Sequence, residues 1–107
     1  MSELKEAITS QHKHLLELQQ ILETELHLIS SRDAESLINL LKTKEALLDS
    51  VGQQDTVIAN LYQQASQEQK DEAELVSLLD DAKEMVSQCQ FRTKINQTAV
   101  EQGQLRL

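Results

Sequence analysis

Between Leu22 and Leu61 the sequence LETELHLISSRDAESLINLLKTKEALLDSVGQQDTVIANL reads as the end of one long helix, a tight polar turn and most of a second helix folding back. The turn is Ser30-Ser31-Arg32-Asp33, where turn-forming side chains cluster between two runs of helix formers. Ser31 or Asp33 can accept hydrogen bonds from the free N–H groups of the next helix. Glu35 then falls in the first turn, where a negative charge suits the helix dipole. A turn this short makes the two helices antiparallel neighbours, so their apolar faces meet.

Spacings of three and four connect Leu4, Ile8, Gln11, Leu15, Leu18, Leu22, Glu25 and Ile29 on the first helix, which Ser2 can cap. Leu16, Ile21, Leu26 and Leu28 widen that stripe beyond a coiled-coil seam, so this helix should touch more than one neighbour. The second helix carries Ala34, Leu37, Leu41, Lys44, Leu48, Val51, Asp55, Ile58, Tyr62 and Ala65 on its stripe. Gly52 inside it implies a local kink or a close helix contact. Residues 63–71, QQASQEQKD, lack apolar periodicity and form a second connection that can stay partly helical. A third stripe follows through Leu75, Leu79, Ala82, Val86, Cys89, Thr93, Asn96 and Val100, with Gly103 as a stop.

There is no Pro and there are only two Gly, whereas a sheet protein needs turn residues at short intervals. The expected fold is all-α: an antiparallel helical hairpin plus a third long helix, an elongated three-helix bundle. It forms a single helical domain over residues 1–107, with helices at about 2–30, 33–65 and 71–103.

A net charge of -8 argues against nucleic acid, which requires a basic patch, and disfavours anionic membrane surfaces. No apolar run approaches the ~20 residues of a membrane span, so no membrane insertion is expected. The opening MSELKEAITSQ has neither the basic flank nor the apolar stretch of a secretory signal, and one cysteine forms no intramolecular disulfide. A cytoplasmic protein is expected. His12 and His14 point to different faces of their helix, and His27 is distant from both. They read as solvated surface histidines with no metal site. Cys89 reads as a buried, inert thiol on the third seam. No cofactor, no phosphate-cradling loop and no catalytic constellation is expected, so the chain is not an enzyme.

The informative residues are polar or aromatic ones in unexpected places. Glu25 on the first seam and Lys44 on the second lie about one to two turns apart along the hairpin axis, within reach of a side-chain or water-mediated pairing. They form a structural polar seam. On the third helix, Thr93 and Asn96 occupy core-stripe positions, and Phe91 lies away from that stripe. Either this helix frays, or it offers an apolar surface to another chain's helix. In the second case Phe91, Ile95, Asn96, Ala99 and Val100 are the partner-binding candidates, with the terminal Leu105 and Leu107 open to either reading.

These residues carry a family resemblance. Leu22, Glu25 and Ile29, then a short turn, then Leu37, Leu40, Lys44, Leu47 and Leu48 are similar to the FlgN family of flagellar export chaperones. That family's pattern is Leu-x-x-Glu-x-x-x-Leu, a turn, Leu-x-x-Leu-x-x-x-Lys and paired leucines. Its third-helix pattern, Leu-Asn-x-x-Asn-Gly, meets Arg92-Thr93-Lys94-Ile95-Asn96-Gln97, which keeps only the second Asn. The resemblance implies a cytoplasmic chaperone that binds the disordered terminal segment of hook–filament junction proteins (FlgK/FlgL type) as an amphipathic helix. It would thereby prevent premature assembly before type III export. The export gate is a further candidate partner, and no nucleotide is implied. Two alternatives stay open. One is the related FliT-type chaperone of the filament cap protein, against which Glu25 and Lys44 lean. The other is a self-associating structural coiled-coil protein, with a homodimer as its simplest form. Interruptions at Gln11, Glu25, Lys44 and Asp55 weigh against a long regular coiled coil.

Overall fold

The computed structural model describes residues 2–103, so Leu105 and Leu107 lie outside the described residues. Four helices run in chain order among them, with no strand: α1 (Glu3–Ser30), α2 (Ala34–Gln64), the short α3 (Gln67–Asp71) and α4 (Ala73–Glu101). The three long helices are those expected. The connecting stretch holds the fourth, a single turn and a half closed by a capping box between Ser66 and Gln69.

Each boundary has a local cause. Ser2 accepts the Lys5 N–H at 3.2 Å and starts α1, with Glu3 and Glu6 in its first turn. The hairpin turn closes α1 by two backbone bonds, Arg32 N–H to the Ile29 carbonyl at 3.1 Å and Asp33 N–H to the Leu28 carbonyl at 3.0 Å. This Schellman pairing places Arg32 in the left-handed region at φ 59°, where glycine is the easier residue. Of the two candidate caps, Asp33 serves α2 by accepting the Ser36 N–H at 3.1 Å. Ser31 instead donates its N–H back to the His27 carbonyl at 2.9 Å. At the far end, Lys5 forms ion pairs with Glu72 and Glu74, tying the start of α1 to the start of α4. The hydrogen bond to Glu72 raises the ammonium above its ordinary value.

α1 is the central element. α2 and α4 each pack along it and do not pack along each other, within a body of 52 × 20 × 17 Å. Every stripe residue read on α1 is buried, from Leu4 to Ile29. The core is segmented into three clusters strung along that stripe. Leu4, Ile8 and Leu75 form one end; Leu18, Leu22, Leu47 and Cys89 the middle; Ile29, Leu37 and Ala99 the turn end.

On α2 the expected stripe is only partly the contact face. Leu37 and Leu47 are buried against α1, whereas Leu41, Leu48 and Tyr62 are exposed. The seam faces α1 with one edge and leaves the other uncovered, because α4 does not close over it. Gly52 also departs from expectation. A Cβ added there meets nothing within 4 Å, so no close helix contact requires the glycine. Gly52→Ala should therefore stabilise the chain by about 1 kcal/mol through helix propensity alone. Thermal unfolding of the variant checks this, and an unchanged or lower midpoint would show a constraint that open space does not explain.

Candidate functional site

Two polar layers separate the three apolar clusters, and each crosses between helices. In the layer nearer the turn, Glu25 is buried and both its oxygens accept hydrogen bonds. Lys44 Nζ of α2 donates to Oε2 at 3.0 Å, and Asn96 Nδ2 of α4 donates to Oε1 at 2.6 Å. The same Asn96 amide reaches the Leu22 carbonyl at 2.9 Å. The expected Glu25–Lys44 pairing is thus a direct contact, and one carboxylate joins all three long helices. A buried ion pair of this kind adds little net stability, since desolvation offsets attraction. Its effect is on register: any slip of α2 or α4 along α1 strands a charge or an amide.

The second layer centres on Gln11, whose Nε2 donates to Asp55 Oδ1 at 2.6 Å and to the Val51 carbonyl at 3.0 Å. Gln54 Nε2 returns a bond to the Ala7 carbonyl at 2.9 Å. On the α4 side, His12 Nε2 lies 2.8 Å from the Leu78 carbonyl. A carbonyl only accepts, so that nitrogen carries the proton. His12 is therefore half-buried and structural, which corrects its reading as a solvated histidine. Cys89 is buried with Sγ 3.7 Å from the Leu15 carbonyl. Burial pushes its thiol up, against a smaller opposing pull from Arg92, so it stays protonated and unreactive near neutrality. No group of three or more metal-ligating side chains occurs among the described residues.

Because α2 and α4 diverge across α1, a trough opens between them. Toward the turn it is a groove of about 440 Å³ with Ile29 and Glu25 on its floor, Leu37, Leu41 and Lys44 on the α2 wall, and Thr93, Gln97, Val100 and Glu101 on the α4 wall. Toward the other end a groove of about 280 Å³ has Ile8, Gln11 and Leu15 on its floor, between Asp55 and Ile58 of α2 and Leu79, Lys83 and Val86 of α4. Leu41, Val86 and Val100 are exposed there, although each belongs to the apolar stripe of its helix. Leu48, seven residues after Leu41 and so on the same face, is exposed as well. Both flanking helices carry more apolar stripe than α1 covers, and Leu41, Val86 and Val100 of that surplus line the two grooves.

The five candidate residues on α4 do not form one surface. Asn96 and Ala99 are buried and hold α4 onto α1. Val100 faces the trough. Phe91, 62% exposed, and Ile95 lie on the opposite edge of α4, where with Ala99 they line a third groove of about 460 Å³ beside Leu26 and Thr98. Sequence reasoning passed over the trough because periodicity assigns a stripe to a helix without saying how wide a neighbour covers it. The available signal was the surplus of Leu41, Leu48 and Val86 over what a single contact needs.

A sequence model of the family described as FlgN protein matches residues 1–107. No curated protein and no solved structure matches the chain.

Proposed function

The chain belongs to the FlgN family of flagellar export chaperones, and from that premise we propose that it acts in the cytoplasm on hook–filament junction proteins. It holds their disordered terminal segment as an amphipathic helix before export. One observation carries the proposal: an open trough whose walls hold uncovered apolar stripe residues, Leu41 on α2 and Val86 and Val100 on α4. A helix of another chain laid there would turn three long helices into four around a shared core. Disordered segments that fold on binding suit such a surface, since the groove supplies the apolar burial that their own chain lacks. No catalytic step is needed for this work, and no helix of the described residues is long and apolar enough to cross a membrane.

The test is titration calorimetry of the chain with the C-terminal segments of the host's junction proteins, with the cap protein segment as control. Saturable binding to the junction segments alone is expected. Binding only to the cap segment would move the chain to the FliT-type branch, and a stable oligomer without any client would favour self-association. Val100→Ala should weaken client binding about fivefold, from about 1 kcal/mol of lost burial, while helicity is retained. Ile95→Ala reads the other edge of α4. A loss confined to Ile95→Ala would move the contact from the trough to the groove around Phe91.

A further inference from the structure

The charges set into the trough alternate in sign both along it and across it. On the α2 wall Lys44 stands toward the turn, and Asp55 follows eleven residues on, three helical turns and about 16 Å away. On the α4 wall the order is reversed. Glu101 lines the groove that holds Lys44, and Lys83 lines the groove that holds Asp55. Lys44 and Asp55 are only partly committed within the chain. Lys44 Nζ has three protons and gives one to Glu25, with a fifth of its side chain exposed. Asp55 accepts the Gln11 amide through Oδ1, which leaves the second carboxylate oxygen without a hydrogen bond from the described residues.

A net charge of -8 by itself favours a uniformly basic partner. The trough does not. Along the α2 wall, a helix carrying one sign of charge would meet a like charge at one end, a basic one at Lys44 and an acidic one at Asp55. Apolar walls on both sides would desolvate those charges once the trough is filled, which strengthens matched pairs and makes mismatched ones costly.

We propose that the trough selects a client helix of mixed charge, with an acidic side chain set against Lys44 and a basic one eleven residues away set against Asp55, both bordering an apolar stripe. The order of the two charges along the client then fixes the direction in which it lies. This inference rests on the trough being the client site.

Three synthetic amphipathic peptides of about 20 residues, long enough to span both grooves as helices, separate the possibilities. They share one Leu/Ile stripe and carry Glu and Lys, two Lys or two Glu at bordering positions eleven residues apart. Titrated into the full chain, the Glu/Lys peptide should bind about tenfold tighter than either other peptide, with the preference shrinking as salt is raised. The preference should vanish in the triple variant Glu25→Gln, Lys44→Met, Asp55→Asn. That variant keeps acceptors for Asn96 and Gln11, and its melting curve shows whether it is folded. A two-Lys peptide that binds as well or better overturns the inference, as does a preference that survives the triple variant. If no peptide binds but the junction segments do, selection by these charges is wrong and the chaperone reading stands. If neither binds, the chaperone reading falls with it. A dimer that the peptides displace assigns the trough to a second copy and also overturns the inference.

Discussion

Asn96→Asp lowers the free energy of unfolding at neutral pH by about 3 kcal/mol, an expected result that urea denaturation would read directly. The exchange is nearly isosteric, so packing barely changes. What changes is the sign of the group 2.6 Å from Glu25 Oε1, where a donated hydrogen bond becomes the contact of two carboxylates. The Leu22 carbonyl loses its side-chain donor at the same time. Burial and like charge both raise the pKa of the introduced carboxyl in the folded state. The folded chain then binds more protons than the unfolded one, so the penalty is full at neutral pH and shrinks as pH falls through that raised value. A variant as stable as the parent at pH 7 would mean that Glu25 is not held between its two partners in solution.

Leu22→Ala should cost a similar amount, about 3 kcal/mol. Leu22 is 1% exposed at the centre of the middle cluster, against Leu18, Leu47 and Cys89. Polar layers bound that cluster at both ends, so apolar side chains cannot slide in to fill the cavity. For a chain of this size the loss is a large share of the ~5–15 kcal/mol typical of small domains. Leu41→Ala removes the same atoms from the trough wall, where the side chain is already exposed, and should cost well under 1 kcal/mol. A Leu22→Ala cost as small as that control would show that the middle of the molecule repacks.

Much of this was legible before any coordinates, for reasons that can be named. The α1 stripe from Leu4 to Ile29 is buried throughout because α1 has neighbours along two sides, the condition under which periodicity and burial coincide. The turn at Ser31–Asp33 was readable because its polar side chains act locally. On α2 and α4 the same periodicity overstated the contact, since one neighbour covers only part of a stripe and Leu41, Leu48 and Val86 are left in the open. Asn96 shows the other limit. Its place on a core stripe was plain, but that its amide reaches a glutamate seventy-one residues away depends on tertiary approach. The half-buried His12 is similar, because its partner is a backbone carbonyl that carries no sequence signature.

The separation of α2 from α4 has a thermodynamic consequence. Each is held mainly by α1, and the two meet chiefly through side chains that share the core clusters along it. A helix lodged between them would brace both at once, and its free energy of binding would add to that of folding by mass action, about 2.7 kcal/mol at a hundredfold excess over Kd. Occupancy would then be written into the rigidity of the carrier. An empty carrier would exchange its α4 amide protons quickly and a loaded one slowly.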